Sequence, residues 1–378
     1  MVEARDVYRE KPLPIKVGIL MDMPERINKW SFPSYELVKE QFLASGRANG
    51  RFERDIEFVT RFVYGAPTGY IQDTIDGYNE LCDQGCLIVV GPNHSDNNVA
   101  LVETVDKRKV PCVMLGATAD NLSEHVFSIP WASIPDDAYV MTSWLKQNGY
   151  KRVAMTWDMV WHGTEYVRHF RIATARAGIE IVADYRFSVF SSPERHELMK
   201  DIANRHRALN PDAIVHFGTG NSSVPYGKAV REIGWDIPRI TNGGFFQANF
   251  EYAWEDMEDW VGTSLWDEEN ATMMKWWQDY RERHPDDEVI AYTPEPIVVW
   301  RDAMVAALEG IALAPIMTPA GVQEGLESIR CLPAAIGGPR QAISFGRWDR
   351  RGNKGADVVV LRRCKGGRTH LEGRIQPL

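Results

Sequence analysis

Small polar residues, histidines and aromatic rings gather at a few points of the chain where short apolar runs end. The clearest is His94-Ser95, directly before a predicted helix, so that the Ser95 hydroxyl and the first free N–H groups point at one spot. Such a helix start favours an anion by about 0.3–1 kcal/mol when exposed, although Ser95 could also serve only as an N-cap. Gly116-Ala117-Thr118 offers close backbone approach and one hydroxyl. These groups predict recognition of a small polar ligand.

Motifs for catalysis, metals and phosphate binding are missing from the sequence. It contains no GxSxG, HExxH or GxxxxGK[ST] pattern, and its 9 histidines show no metal-ligand spacing. His94, His162 and His216 are therefore interpreted as hydrogen-bonding or core residues in preference to catalytic ones. Cys82 and Cys86 have three residues between them, unlike a zinc or redox motif, and are expected to be small buried side chains. We expect no cofactor, no metal and no enzyme.

The elements that must position these residues alternate between buried strands and amphipathic helices. This order predicts two successive α/β units with parallel sheets, and in such sheets ligands bind beyond the carboxyl ends of the strands. A last pair of strands is expected as a hairpin over Ile343 to Arg363, around the turn Asp349 to Gly355. The loops that follow the strands contain these further candidates: Trp30, Trp161, His162, Gly220 and Asn221.

The composition of the chain argues against nucleic acid as a partner and against insertion into a membrane. The chain has 378 residues with a formal net charge of -9, so a basic footprint for nucleic acid is not expected. The most apolar stretch, Ile297 to Ile316, is interrupted by Arg301, Asp302 and Glu309, which argues against membrane insertion. Met1 to Pro14 shows no export signal, which leaves a cytoplasmic protein or a chain numbered after a removed signal as alternatives.

In the order of its segments, the chain resembles the leucine/isoleucine/valine-binding family that serves ABC importers. The matching segments are IKVGIL at 15–20, LIVVGPNHS at 87–95, VPCVMLGAT at 110–118, KRVAMTWDMVWHG at 151–163, PDAIVHFGTGN at 211–221, VREIGWDIPRITNGG at 230–244 and FGRWDRRGNKG at 345–355. The resemblance implies a type I periplasmic-binding fold, a non-enzymatic binding protein that closes by hinge motion, and an ABC permease as partner. The positions that match ligand contacts of the family are Ser95, Gly116, Thr118, His162, Gly220 and Asn221.

The same resemblance implies two lobes joined by three crossovers, near Ser133, Val261 and Gln341. Residues 13–132 and 261–340 would form one lobe, residues 133–260 and 341–378 the other, and the ligand would lie in the cleft between them. A family member is expected in the periplasm.

One departure from the family bears on the ligand. Amino-acid binders of the family hold the ligand's ammonium group with an acidic residue where this chain has Gly243 or Gly244. Because a buried ammonium without a carboxylate partner is costly, we expect a carboxylate- or amide-bearing ligand, such as an aromatic acid, in preference to a free branched-chain amino acid. The alternative function is a cytoplasmic amide sensor that controls a partner regulator.

Overall fold

The structure is a computed structural model that describes residues 13–22, 25–45, 54–65, 70–187, 195–218, 220–243, 254–287, 295–353 and 357–378. In chain order its strands are β1 Ile15–Met21, β2 Ile56–Phe62, β3 Ile88–Val90, β4 Cys112–Met114, β5 Val126–Ser128, β6 Arg152–Asp158, β7 Glu180–Phe187, β8 Ala213–Phe217, β9 Arg239–Thr241, β10 Val261–Ser264, β11 Leu332–Pro333, β12 Ala342–Ile343, β13 Val360–Lys365 and β14 Arg368–Gly373. Its α-helices are α1 Glu25–Ala44, α2 Ile71–Asp83, α3 Ser95–Arg108, α4 Ile134–Gln147, α5 Trp161–Ala177, α6 Arg195–Ala208, α7 Gly220–Glu232, α8 Ala271–Arg283, α9 Glu295–Leu313 and α10 Pro319–Glu327.

The first lobe is built on a five-stranded parallel sheet in the order β2-β1-β3-β4-β5. Strands β3 and β4 are buried along their whole length, as expected for central strands of a parallel sheet covered on both faces. Helix α9 packs against β3, β4 and α1, so the chain returns to this lobe late. The hydroxyl of Ser34 on α1 donates to the carbonyl of Ile297 on α9 at 3.2 Å.

The second lobe is built on a seven-stranded sheet in the order β14-β13-β10-β9-β8-β6-β7. Strands β6 to β10 run parallel, whereas β13 and β14 add an antiparallel edge. Two parallel α/β lobes were predicted from the alternation of elements, and the structure confirms them. Within the described residues no helix is long and apolar enough to cross a bilayer. The five cysteines are free thiols, with Cys86 buried and Cys82 partly buried.

The chain leaves the second lobe later than expected. Strand β10 pairs with β9 on one side and β13 on the other, so Val261 to Ser264 belong to the second sheet and not to the return segment. Because β10 has a paired neighbour on each side, its place in the second sheet is fixed. The crossing therefore follows Ser264 instead of starting at Val261.

The third crossing is also later than Gln341. Ser128 at the end of β5 donates its N–H to the Arg350 carbonyl at 2.9 Å and accepts from the Gly352 N–H at 2.8 Å. The ring of Phe345 meets that of Phe127 edge-on at 5.1 Å. This stretch thus extends the first lobe, and the hairpin expected over Ile343 to Arg363 is wrong as a unit. The observed hairpin joins β13 to β14.

A buried guanidinium ties this hairpin to the segment that leaves β10. Arg362 on β13 donates to both carboxylate oxygens of Glu268, at 2.6 and 2.9 Å, and to the Thr369 carbonyl at 2.9 Å. Its guanidinium carbon lies 3.7 Å from the ring centroid of Trp266. Nearby, Arg374 donates to both oxygens of Asp267, at 2.6 and 2.8 Å. The crossover is therefore held by side chains from the end of the chain.

Replacing Arg362 by Ala should lower the free energy of unfolding by about 3 kcal/mol, because a buried cation, its hydrogen bonds and its stacking on Trp266 are lost together. Urea unfolding measures this loss. Arg368→Ala is the matched control on the same hairpin, since Arg368 is exposed, and it should change stability by no more than about 0.5 kcal/mol. Equal effects of the two variants would contradict the assigned role.

Candidate functional site

Three helices begin at the edge where the two parallel sheets present the carboxyl ends of their strands. Helix α3 begins at Ser95 after β3, α5 at Trp161 after β6, and α7 at Gly220 after β8. Each helix start presents N–H groups that have no partner within the helix, together with a partial positive charge. Helix α3 of the first lobe contacts α5 of the second, so two of these helix starts come from different lobes and lie near each other.

The carboxylate of Asp22, directly after β1, organises the loop before α3. It accepts hydrogen bonds from the N–H and side-chain amide of Asn93, at 2.8 and 2.9 Å, from the His94 N–H at 3.0 Å and from the Asn97 amide at 2.8 Å. Asp22 is buried. An anion is therefore already built in beside the start of α3, which the sequence analysis missed.

Asn93 extends this network to two tryptophans. Its side-chain oxygen accepts from the indole N–H of Trp131 at 2.9 Å and from that of Trp300 at 3.0 Å. The two rings meet edge-on with centroids 5.1 Å apart. Since Trp131 precedes the first crossing and Trp300 lies on α9, one amide joins the loop after β3 to both.

Asn98 performs the corresponding task for the loop after β4. Its oxygen accepts from the Gly116 N–H and from the Asn121 amide, both at 2.9 Å, and its nitrogen donates to the carbonyls of Pro92 and His94. A Cβ at Gly116 would lie 2.5 Å from that oxygen. Gly116 is thus required for the close approach of Asn98. The Gly116 N–H is already bonded to Asn98 within the protein.

The ligand contacts that were predicted in the first lobe include Ser95, Ala117 and Thr118. Ser95 is the first residue of α3, with His94 preceding it and making no side-chain cap, so the N-cap interpretation of Ser95 is wrong. Thr118 is fully buried and its hydroxyl accepts from the Asp120 N–H at 3.0 Å. The carbonyl of Ala117 accepts from the Ile134 N–H at 3.2 Å.

The first two turns of α5 meet the first lobe through polar contacts. Asp96 on α3 accepts from the Trp161 N–H at 3.1 Å, so its carboxylate lies at the start of the facing helix. Glu165 is buried and accepts from the Ala119 N–H at 3.0 Å. Burial raises the pKa of Glu165, while the Thr118 hydroxyl and the Ala119 N–H oppose that shift. The lobes therefore contact each other beside the predicted ligand cleft.

His162 is the second residue of α5, next to these contacts. Its Nε2 is buried, 3.9 Å from the Asp158 carboxylate. Burial lowers the pKa of His162 to about 4, with Asp96 opposing the shift and His94 adding to it. His216 bonds the Thr156 hydroxyl at 2.8 Å, and burial together with His162 lowers its pKa to about 3. Both rings are neutral at pH 7. No cluster that could hold a metal exists among the described residues.

The remaining candidates fall into three groups. Trp30 lies on α1 and is buried in the hydrophobic core. Trp161 remains 42% exposed at the rim of α5. Gly220 and Asn221 begin α7, but the structure does not describe their side chains, and Gly244 lies outside the described residues.

A further acid, Asp137, was not anticipated. It is buried in the first turn of α4 and accepts from the Tyr166 hydroxyl at 2.5 Å. Burial raises its pKa to about 7 in spite of that hydrogen bond. Like Asp22, it has partners far away in sequence, so spacing alone gave no signal for it.

Comparison with known proteins identifies the family. The sequence pattern of the family described as "Periplasmic binding protein" matches residues 14–368, nearly the whole chain. The chain belongs to the periplasmic binding protein family. The expectation of a binding protein instead of an enzyme is thereby confirmed, as is the resemblance to the leucine-binding type. A comparison with curated protein sequences gave no match.

Solved periplasmic binding proteins share the fold across their whole length. A type 1 periplasmic binding protein from Bordetella pertussis Tohama I has 20% identity and a TM-score of 0.80, covering 95% of this chain and 100% of its own. LivJ from Streptococcus pneumoniae, solved with isoleucine, has 17% identity and a TM-score of 0.80, with 96% and 100% covered. A solute-binding protein from R. palustris, solved with benzoate, has 17% identity and a TM-score of 0.76, with 96% and 97% covered.

Replacing Asn93 by Ala should lower the free energy of unfolding by about 2–4 kcal/mol, because two buried indole N–H groups and one oxygen of Asp22 lose a partner. Urea unfolding at neutral pH measures the effect. Asn148→Ala is the control, since the side chain of exposed Asn148 makes a single bond, to the Trp144 carbonyl, and its loss should cost less than about 1 kcal/mol. A loss at Asn93 as small as that of the control would show that the network contributes little.

His162 should make the protein less stable in acid. Its pKa in the folded state, about 4, lies below the value of about 6.5 for an unfolded chain, so the unfolded state takes up the proton first. The stability present above pH 6.5 is therefore lost as the pH falls towards 4. Between pH 6.5 and 5 the wild type should lose about 2 kcal/mol more than His162→Gln.

Urea unfolding at the two pH values tests this difference, and the exposed residue His370, replaced by Gln, provides the control. Parallel pH profiles of the wild type and His162→Gln would show that His162 is not buried in the neutral form.

Proposed function

We propose that this chain is the solute-binding component of an ABC-type importer. It captures a small carboxylate- or amide-bearing ligand between its lobes and closes over it by a hinge motion. The observation that carries the proposal is the start of α5, where Trp161 and Glu165 of the second lobe bond Asp96 and the Ala119 N–H of the first. These contacts join the lobes beside three helix starts, so a ligand held there can change how closely the lobes approach each other.

The ligand's polar end would lie among the starts of α3, α5 and α7, where N–H groups converge. Its body would lie against the exposed ring of Trp161, with the largely buried ring of His162 next to it. Binding proteins of known structure with this fold have been solved with isoleucine and with benzoate, and both ligands carry a carboxylate. Those ligands support the size and the polar group of the proposed solute.

The partner in this proposal is a permease, and the compartment is the periplasm, as the family indicates. Delivery to a permease requires release of the solute when the lobes separate. Polar contacts between the lobes suit this requirement because exposed ion pairs are individually weak. Arg168 and Asp120 form such a pair at 3.0 Å, with half of the Arg168 side chain exposed.

Purified protein should bind one small molecule per chain, and its radius of gyration should fall on binding. A thermal-shift screen of amino acids, amides and aromatic acids finds the ligand, since saturation at about 100 times the dissociation constant adds about 2.7 kcal/mol of stability. Small-angle scattering then measures compaction. A ligand that binds without compaction would contradict hinge closure, and a screen without any hit would contradict solute capture.

Trp161→Ala should weaken binding of that ligand by about five- to a hundredfold, because an aromatic wall of the cleft is removed. Trp348→Ala is the matched control, since Trp348 is 89% exposed in the segment that extends the first lobe. Titration calorimetry compares the two variants. Similar losses for both would place the ligand away from α5.

A further inference from the structure

Glu165 places a carboxylate inside the contact between the lobes. Its side chain is almost fully buried on the second turn of α5, and one of its oxygens accepts from the Ala119 N–H of the first lobe at 3.0 Å. The other oxygen is buried and has no hydrogen-bond partner among the described residues. An ionised carboxylate can accept hydrogen bonds through both oxygens, so one oxygen remains unsatisfied while the lobes touch.

This unsatisfied oxygen makes the contact depend on the charge of Glu165. An ionised carboxylate that is buried with one oxygen unpaired is costly, whereas the same group in water is not. The Thr118 hydroxyl and the Ala119 N–H, which face Glu165, belong to the first lobe. When the lobes separate, these groups move away and the carboxylate regains water. Ionised Glu165 therefore disfavours contact between the lobes, and protonated Glu165 does not.

The charged and titratable groups around Glu165 do not remove this cost. Arg168 on α5 lies 3.6 Å from the carboxylate, but its side chain is half exposed and is shared with Asp120 of the first lobe. His169, also on α5, has its Nε2 atom 4.0 Å from the carboxylate. Burial lowers the pKa of His169, with Arg168 adding to the shift and Asp120 and Asp136 opposing it, so this ring is mostly neutral at pH 7.

The balance of these effects favours the proton on Glu165 in the closed protein. Burial raises the pKa of Glu165 above its ordinary value of 4.5, with Asp120 adding to the shift and Arg168 opposing it. In separated lobes the exposed carboxyl returns towards that ordinary value. Contact between the lobes is thus strengthened as the pH falls towards 4.5 and weakened as the pH rises through the raised pKa.

We propose that Glu165 links closure of the cleft to the uptake of a proton. Glu165 is then a positioning residue, which acts without touching the solute and sets how much of the solute's binding free energy is used to bring the lobes together. This role rests on the proposed function and deepens it, because the solute would be held more tightly in mildly acidic surroundings and released more readily at higher pH.

Hydrogen exchange of the Ala119 N–H reports on the contact, because Glu165 of the second lobe is its acceptor. The intact chain is placed in heavy water without any solute, and exchange is followed by mass spectrometry at pH 5 and pH 8. After correction for the intrinsic rate at each pH, protection in the wild type should be at least about twofold greater at pH 5, since one unit of pKa shift corresponds to a tenfold change.

Glu165→Gln keeps an acceptor for the Ala119 N–H and removes the charge. Protection in this variant should exceed that of the wild type at pH 8 and should depend on pH much less. Glu165→Ala removes the acceptor and should lower protection at both pH values. Glu324→Gln, the same change at an exposed position on α10, is the matched control and should keep the wild-type pH dependence. Circular dichroism verifies that all variants are folded.

The role of Glu165 is overturned if wild-type protection does not rise from pH 8 to pH 5, or if Glu165→Gln keeps the wild-type pH dependence. A pH dependence that is lost in His169→Gln and kept in Glu165→Gln would assign the proton to His169 and also overturn it. Because no solute is used, each of these results leaves solute capture standing. A solute screen without any hit would contradict the proposed function and would leave the exchange result unchanged.

Discussion

The hydrogen bonds that the Asp22 carboxylate accepts are the interaction on which the edge of the first lobe at the start of α3 depends. This carboxylate stands at the end of β1 and takes up four N–H donors from the loop and helix that follow β3. A buried carboxylate is tolerated only when its oxygens accept hydrogen bonds. The same hydrogen bonds therefore stabilise the buried Asp22 and hold the loop in place. Asn93 then passes the constraint to Trp131 and Trp300. The start of α3 is consequently connected to the end of β1 by Asp22, and to Trp131 and Trp300 by Asn93.

Helix α5 has a double role in the second lobe. Its buried side packs on Phe217 of β8. Tyr166 stacks on that ring and Phe170 meets it edge-on, with centroids 5.1 Å away in both cases. Its first two turns carry the groups that touch the first lobe. A rigidly packed helix with a polar start transmits the position of one lobe to the other without a flexible linker. Contact between the lobes and the proposed contact with a solute therefore share one element.

Much of this fold could be predicted from the sequence, because central parallel strands are continuous apolar runs that recur between amphipathic helices. The start of α3 was placed within one residue for the same reason. The partners of Asp22 and Asn98 could not be predicted, since the N–H donors of Asp22 lie more than 70 residues away and no local pattern encodes them. The hairpin was misplaced because residues 349–355 are rich in turn formers, whereas the true turn is the pair Gly366-Gly367, both with positive φ.

The late position of β13 and β14 in the chain has a consequence for folding during synthesis. The first sheet can pair all five of its strands once β5 has been made, but β10 keeps a bare edge until β13, about a hundred residues later, is available. An unpaired strand edge invites pairing with other chains. The second sheet is thus begun early and completed last, and the edge of β10 stays unpaired throughout the synthesis of α8, α9 and α10.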